Sequence, residues 1–148
     1  MIGLSDPLKA LVEFYTGFNA RDVDKCMQNW ANRNDVIMCN PIGGIRIGSE
    51  EITQAYQRIM QGDTQVYVEF YDYHLFECTD VFYAVGRERG YAKNDNRLNQ
   101  KQIDLSIRTS RIFQRINGIW QQVHHHGSMD DPELLNQYQA FLLKGDRQ

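Results

Sequence analysis

Gln65-Val66-Tyr67-Val68-Glu69-Phe70-Tyr71-Asp72-Tyr73-His74-Leu75-Phe76-Glu77-Cys78 is where the hydrophobic period of this chain changes from helical to alternating. The alternation predicts one long strand, with Val66, Val68, Phe70, Asp72, His74 and Phe76 on one face and Tyr67, Glu69, Tyr71, Tyr73 and Leu75 on the other. After a tight turn at Thr79-Asp80, Val81 to Ala92 returns. Tyr83, Val85, Arg87, Arg89 and Tyr91 share one side of this strand; Phe82, Ala84, Gly86, Glu88 and Gly90 share the other. The Asn-rich run Lys93 to Lys101 reads as a loop. Gln102 to Arg115 and Ile119 to Gly127 then complete an antiparallel meander around Asn117-Gly118, a pair that supplies the positive φ angles of a hairpin turn.

That last hairpin carries the densest chemistry, Arg108, Arg111 and Arg115 on one strand and His124-His125-His126 on the other. Two registers are open. A two-residue turn pairs Ile116 with Ile119 and sets Arg111 across from His124. A three-residue loop with a glycine bulge at Gly118 pairs Arg115 with Ile119 and sets Arg111 beside Val123 and His125.

Upstream, the pattern is helical. Asp6-Pro7 starts a helix with Leu8, Leu11, Val12, Tyr15 and Phe18 as its apolar face, and Asp22 caps a second with Val23, Cys26, Met27 and Trp30. Asp35 to Cys39 and Ile45 to Gly48 read as short strands separated by Asn40-Pro41 and Gly43-Gly44. Ser49-Glu50-Glu51 opens a third helix, with Ser49 as capping hydroxyl, Ile52, Ala55, Tyr56, Ile59 and Met60 as its stripe and Gly62 as its stop. Asp131-Pro132 starts a last helix faced by Leu134, Leu135, Tyr138, Phe141 and Leu142. Helices followed by long strands, with no glycine-rich phosphate loop, give an α+β fold. Strands this long tend to curl into a cone whose mouth, closed by the N-terminal helices, is a natural small-molecule pocket.

The 148 residues, 42% hydrophobic, suffice for one domain, residues 1–148. A net charge of -3 with both signs scattered gives no nucleic-acid footprint. No apolar run approaches membrane-spanning length and the N-terminus lacks a secretion signal, so a cytoplasmic protein is expected. Cys26, Cys39 and Cys78, odd in number and with no Cys-x-x-Cys pair, are expected as buried, reduced thiols.

Arg87 and Arg111 lie mid-strand among apolar residues and need partners. Those are either an acid such as Asp72, Glu88 or Asp104, a dimer interface, or a bound anion that suits the guanidinium fork. His124 and His126, two apart on a strand, invite a metal with His74 as third ligand; without an adjacent carboxylate, neither a metal site nor a cofactor is expected. Candidates for general base are His125, Asp72 and Asp104, with Tyr56 or Tyr73 as donors. Phe14, Tyr15, Phe18, Trp30 and Tyr56 suit core and pocket lining.

Trp30, the Asn40-Pro41 break, Gly48-Ser49-Glu50 and above all Arg111-Ile112-Phe113-x-Arg115-x-Asn117-Gly118-x-Trp120-Gln121-x-Val123-His124-x-His126 resemble the SnoaL-like part of the nuclear transport factor 2-like superfamily. Within it, they are most similar to the association domain of calcium/calmodulin-dependent protein kinase II. The resemblance implies a cone-shaped, cystatin-like fold that forms a homodimer or higher homo-oligomer through the outer face of its sheet. It also implies that Arg87 and Arg111 bind a small carboxylate, while a third family arginine is replaced by Gly127. It favours the bulged loop at Gly118, with His125 facing the pocket beside Arg111, Phe113 and Val123, and with His124, His126 and Trp120 facing away. The resulting expectation is a binder of a small, carboxylate-bearing molecule through Arg87, Arg111, His125, Tyr56, Trp30 and Phe113. The alternatives are an isomerase, cyclase or dehydratase using a pocket His or Asp as base, or an oligomerisation module; whether a reaction occurs is left open.

Overall fold

A computed structural model describes residues 6–94 and 101–145; residues 95–100 of the expected Asn-rich loop lie outside the described residues. Helices α1 (Asp6–Asn19) and α2 (Val23–Asn29) come first, then short strands β1 (Ile37–Cys39) and β2 (Arg46–Ile47) and helix α3 (Ser49–Met60). Four long strands follow, β3 (Thr64–Glu77), β4 (Val81–Asn94), β5 (Gln102–Ile116) and β6 (Ile119–Met129), and α4 (Pro132–Gly145) ends the described chain. The sheet order is β2-β1-β6-β5-β4-β3. The long strands form the expected antiparallel meander, but β1 runs parallel to β6, with Ile37, Met38 and Cys39 beside His124, His125 and His126. The sheet is therefore mixed.

The alternating residues of β4 and β5 divide into two faces. Phe82, Ala84, Glu88 and Ala92 of β4 and Leu105, Ile107, Thr109, Arg111 and Phe113 of β5 are buried beneath the helices. Tyr83, Val85, Arg87 and Arg89 lie exposed on the outer face. Two inward glycines let β3 lie close against β4: a Cβ on Gly90 would sit 1.8 Å from the Tyr67 carbonyl oxygen, and one on Gly86 would sit 2.6 Å from Tyr73 Cβ.

Two bulges shift the faces away from strict alternation. In β3, Asp72 takes a left-handed φ of 50° and the pairing skips between Tyr71 and His74. The parity flips there: Tyr73 stacks on inward Phe70 with centroids 5.0 Å apart, while His74 and Phe76 turn outward with Val85 and Tyr83. In the last hairpin, Ile116 pairs with Ile119 across a two-residue turn in which Asn117 and Gly118 have φ of 52° and 80°. The bulge expected at Gly118 is instead at Val123, where Phe113 faces Gln122 and Ile112 faces His124. Arg111 still meets His125, but Trp120 and Gln122 lie on the buried face, contrary to expectation for Trp120. Trp120 packs edge-on against Phe82, which stacks on Phe113.

Polar groups dock the helices onto this frame. Asn19, at the end of α1, donates to the Val68 carbonyl and accepts from its N–H, at 2.8 and 3.0 Å. Arg21 donates to the carbonyls of Met60 and Gly62 at the end of α3. Asp22 caps α2 as expected. Ser49 does not cap α3: the cap is Gly48, and the Ser49 hydroxyl donates to Asn32 and the Arg33 carbonyl. Cys26 is buried as expected, but Cys78 is exposed.

Candidate functional site

The concave face of the sheet and helices α1, α3 and α4 enclose a slot. Its lining includes Phe14, Tyr15 and Phe18 of α1, Tyr56 and Ile59 of α3, Tyr138 of α4, and Glu88, Ile107, Arg111 and His125 of the sheet. The space between atoms, counted out through the mouth, is ≈ 490 Å³, but only ≈ 40 Å³ admits the centre of a water molecule. The site is thus narrow and largely apolar, with its few polar groups at the inner wall.

Those polar groups form one connected set. Arg111, 3% exposed, is held on all sides: its Nε donates to the Tyr15 hydroxyl at 3.1 Å, Nη1 to Gln122 Oε1 at 2.6 Å and Nη2 to Glu88 Oε2 at 3.1 Å. Tyr15 donates its own proton to the same Glu88 oxygen at 2.5 Å. Gln122 passes the chain on to Asn29 Oδ1, and Asn29 to the Ala10 carbonyl. The guanidinium also lies 4.0 Å from the centroid of the Phe14 ring. Burial opposes the charge on Arg111, but Tyr15 and Glu88 more than offset it, so the proton is held more tightly than on a free guanidinium. Burial pushes the Tyr15 hydroxyl well above its usual range.

His125 is different. It is 5% exposed, lines the slot, and neither Nδ1 nor Nε2 has a hydrogen-bond partner in the protein. Burial holds its pKa well below the usual histidine value, and the charges of Arg111, His124 and His126 push it the same way. The ring is therefore neutral at physiological pH, one nitrogen a donor and the other an acceptor. Beside it, a Cβ on Gly127 would lie 3.2 Å from His125 Nε2 and 3.3 Å from Pro41. An arginine at that position would have to compete with this ring for space.

The expected site residues separate accordingly. Arg111, His125 and Tyr56 line the slot. Trp30 is buried behind it, donating to the Tyr56 hydroxyl at 3.0 Å, and Phe113 belongs to the neighbouring cluster with Phe82 and Trp120. Arg87 does not converge with Arg111. It lies on the outer face, where Asp72 at 3.2 Å and Asp130 at 4.0 Å are its partners. Asp72 and Asp104 are also exposed, which removes both as pocket bases. Tyr73 turns inward but is 37% exposed and outside the slot lining. The two arginines thus each have an acidic partner, Asp72 and Glu88, and the pair expected to grip a carboxylate is not assembled. His74 lies on β3, three strands from the histidines of β6 and so about 14 Å away. Tyr15 lines the slot and Glu88 pairs with Arg111, as expected of pocket lining and of a partner acid, while Gln122 and Tyr138 complete the site without having been singled out. For Glu88 a signal was present, since it is the one acid among Phe82, Ala84, Gly86 and Gly90 on the inner side of β4.

Comparison with known proteins matches residues 8–132 to the SnoaL-like domain family. Among solved structures, a protein proposed as a dehydratase of the nuclear transport factor 2-like family, from Streptomyces avermitilis, superposes with a TM-score of 0.72 at 19% identity, covering 84% of this chain and 94% of that one. A ketosteroid isomerase-like protein from Erwinia carotovora atroseptica gives 0.69 at 15% identity, covering 84% and 94%. A protein proposed as a calcium/calmodulin-dependent protein kinase type II association domain, from Thiobacillus denitrificans, gives 0.65 at 19% identity, covering 88% and 100%. No curated protein matches the chain significantly. At these identities the solved structures speak for a shared fold. Among the described residues no helix is long and apolar enough to cross a membrane.

Proposed function

Because this chain belongs to the SnoaL-like domain family, we propose that its slot binds a small, largely apolar molecule bearing a hydroxyl or carbonyl group, with His125 as the polar anchor. The observation that carries this reading is the buried, unpartnered imidazole at the wall of an apolar slot. A buried polar group without a partner costs about 1–3 kcal/mol, which a ligand group hydrogen-bonded to it would relieve. The guanidinium of Arg111 already spends three of its five N–H groups on Tyr15, Gln122 and Glu88, and Glu88 balances its charge. Its role in this reading is to hold the inner wall rigid.

Isothermal titration calorimetry with 1-octanol, and with a hydrocarbon of similar size, tests the proposal. The parent should prefer the alcohol by about tenfold, the worth of one net hydrogen bond, and His125→Leu should lose that preference. Absence of binding by either compound removes the reading. A second reading, acid–base chemistry on the bound molecule, has one observation in its favour: Glu88 and neutral His125 line the same narrow space. Such a reaction would wash solvent deuterium into a bound ketone in the parent but not in His125→Leu.

Self-association belongs to the same proposal and is assigned to the outer face of the sheet. Phe76, Tyr83 and Val85 are 55%, 43% and 43% exposed there, and the Phe76 and Tyr83 rings stack 5.4 Å apart. A contiguous apolar patch of this kind suits a second copy of the chain.

A further inference from the structure

A second cavity adjoins the slot, and its charge is of one sign. β2 contributes Arg46 to it and α3 contributes Arg58, with Asn40, Gly43 and Leu142 around them and no acidic residue in the lining. Its cavity volume is ≈ 100 Å³, against ≈ 40 Å³ for the slot. Neither arginine has an ion-pair partner among the described residues. Arg46 Nε is buried with no hydrogen-bond partner in the protein. Asn40 uses Oδ1 to accept from the Ile42 N–H, which leaves its Nδ2 as a neutral donor. Arg111 presents the opposite case, a guanidinium already neutralised by Glu88.

Asn40, Ile42 and Ile59 line both cavities, which are therefore neighbours. We infer that Arg46 and Arg58 form an anion subsite and that the molecule held in the slot is an amphipathic carboxylic acid. Its apolar body lies in the slot, and its carboxylate lies at the two guanidinium forks. Planar, paired donors of this type match a carboxylate in both geometry and charge. The inference rests on the slot being a binding site and adds where the charged end of the ligand goes.

Calorimetry with octanoate and 1-octanol, which share an alkyl chain, separates the two claims. The parent should bind octanoate at least about tenfold more tightly than 1-octanol. Arg46→Gln and Arg58→Gln should each lose part of that advantage, and the double variant should bind both compounds alike. Unchanged 1-octanol binding in the variants would show that their slot is intact. Octanoate binding no tighter than 1-octanol in the parent, or an advantage that survives in the double variant, overturns the anion subsite and leaves the slot reading standing. Failure of both compounds to bind the parent overturns the slot reading and the subsite with it.

Discussion

Replacing Glu88 by Gln removes one charge from the interior while keeping nearly the same shape, and the cost can be worked from the surroundings of Arg111. The carboxylate oxygen Oε2 lies 3.1 Å from Arg111 Nη2, and the two side chains are 6% and 3% exposed. Leaving a buried guanidinium without its counter-charge costs about 3–5 kcal/mol. The Phe14 ring, 4.0 Å from the guanidinium carbon, and Gln122 at 2.6 Å remain in the variant. A desolvated cation–π contact contributes about 2 kcal/mol, so the low end of the range, about 3 kcal/mol, is expected. In a chain of this length that is a fall in Tm of about 6–12 °C. Removing both charges with Glu88→Leu and Arg111→Met leaves the Tyr15 hydroxyl and Gln122 short of partners, at about 1 kcal/mol each, so the double variant should be the more stable one. Urea unfolding at neutral pH, with m-values compared, measures all three proteins. A Glu88→Gln variant within about 1 kcal/mol of the parent, or a double variant no more stable than the single, would refute this account of the inner wall.

Acid should destabilise the fold partly through His125. Its folded-state pKa lies well below the usual 6.5, so as pH falls past that value the unfolded chain takes up a proton that the folded chain does not. Stability then drops by about 1.4 kcal/mol per pH unit from this group, and His125→Leu should lack that share in urea unfolding from about pH 6.5 to about pH 5. Equal slopes in the two proteins would contradict it. Sedimentation equilibrium tests the outer face: the parent should be a dimer, and Tyr83→Glu with Val85→Glu a folded monomer. A parent that stays monomeric at every concentration, or a variant that still dimerises, would exclude that interface.

The elements were legible because their signals are local: Asp6-Pro7, Asp22 and Asn117-Gly118 each mark a boundary through backbone chemistry that needs no tertiary context. Two bulges were not. Strict alternation gives no sign that Asp72 takes a positive φ or that Val123 is the extra residue in β6, and one added residue reverses every side chain beyond it. Trp120 therefore turned out to be buried, and His74 and Phe76 outward. Arg111 and His125 stayed on one face because the two-residue turn and the extra residue at Val123 each shift the register by one, moving the residue opposite Arg111 from Val123 to His125 without changing parity. Arg87 and Glu88, adjacent on β4, necessarily point to opposite faces. Which of the two reaches the slot depends on the face the helices cover. The anion subsite was beyond sequence reading, since Arg46 and Arg58 come together only through the packing of β2 and α3.

The His125 imidazole is buried and without a partner in the protein, and histidine-selective ¹⁵N NMR observes that ring directly. In the free protein His125 should show the two unequal nitrogen shifts of a neutral ring and should not titrate near 6.5. Adding 1-octanol should then shift His125 nitrogens and leave those of exposed His74 and His126 unmoved. A His125 that titrates like a free histidine, or whose nitrogens ignore saturating alcohol, would contradict the claim that this ring anchors a bound molecule.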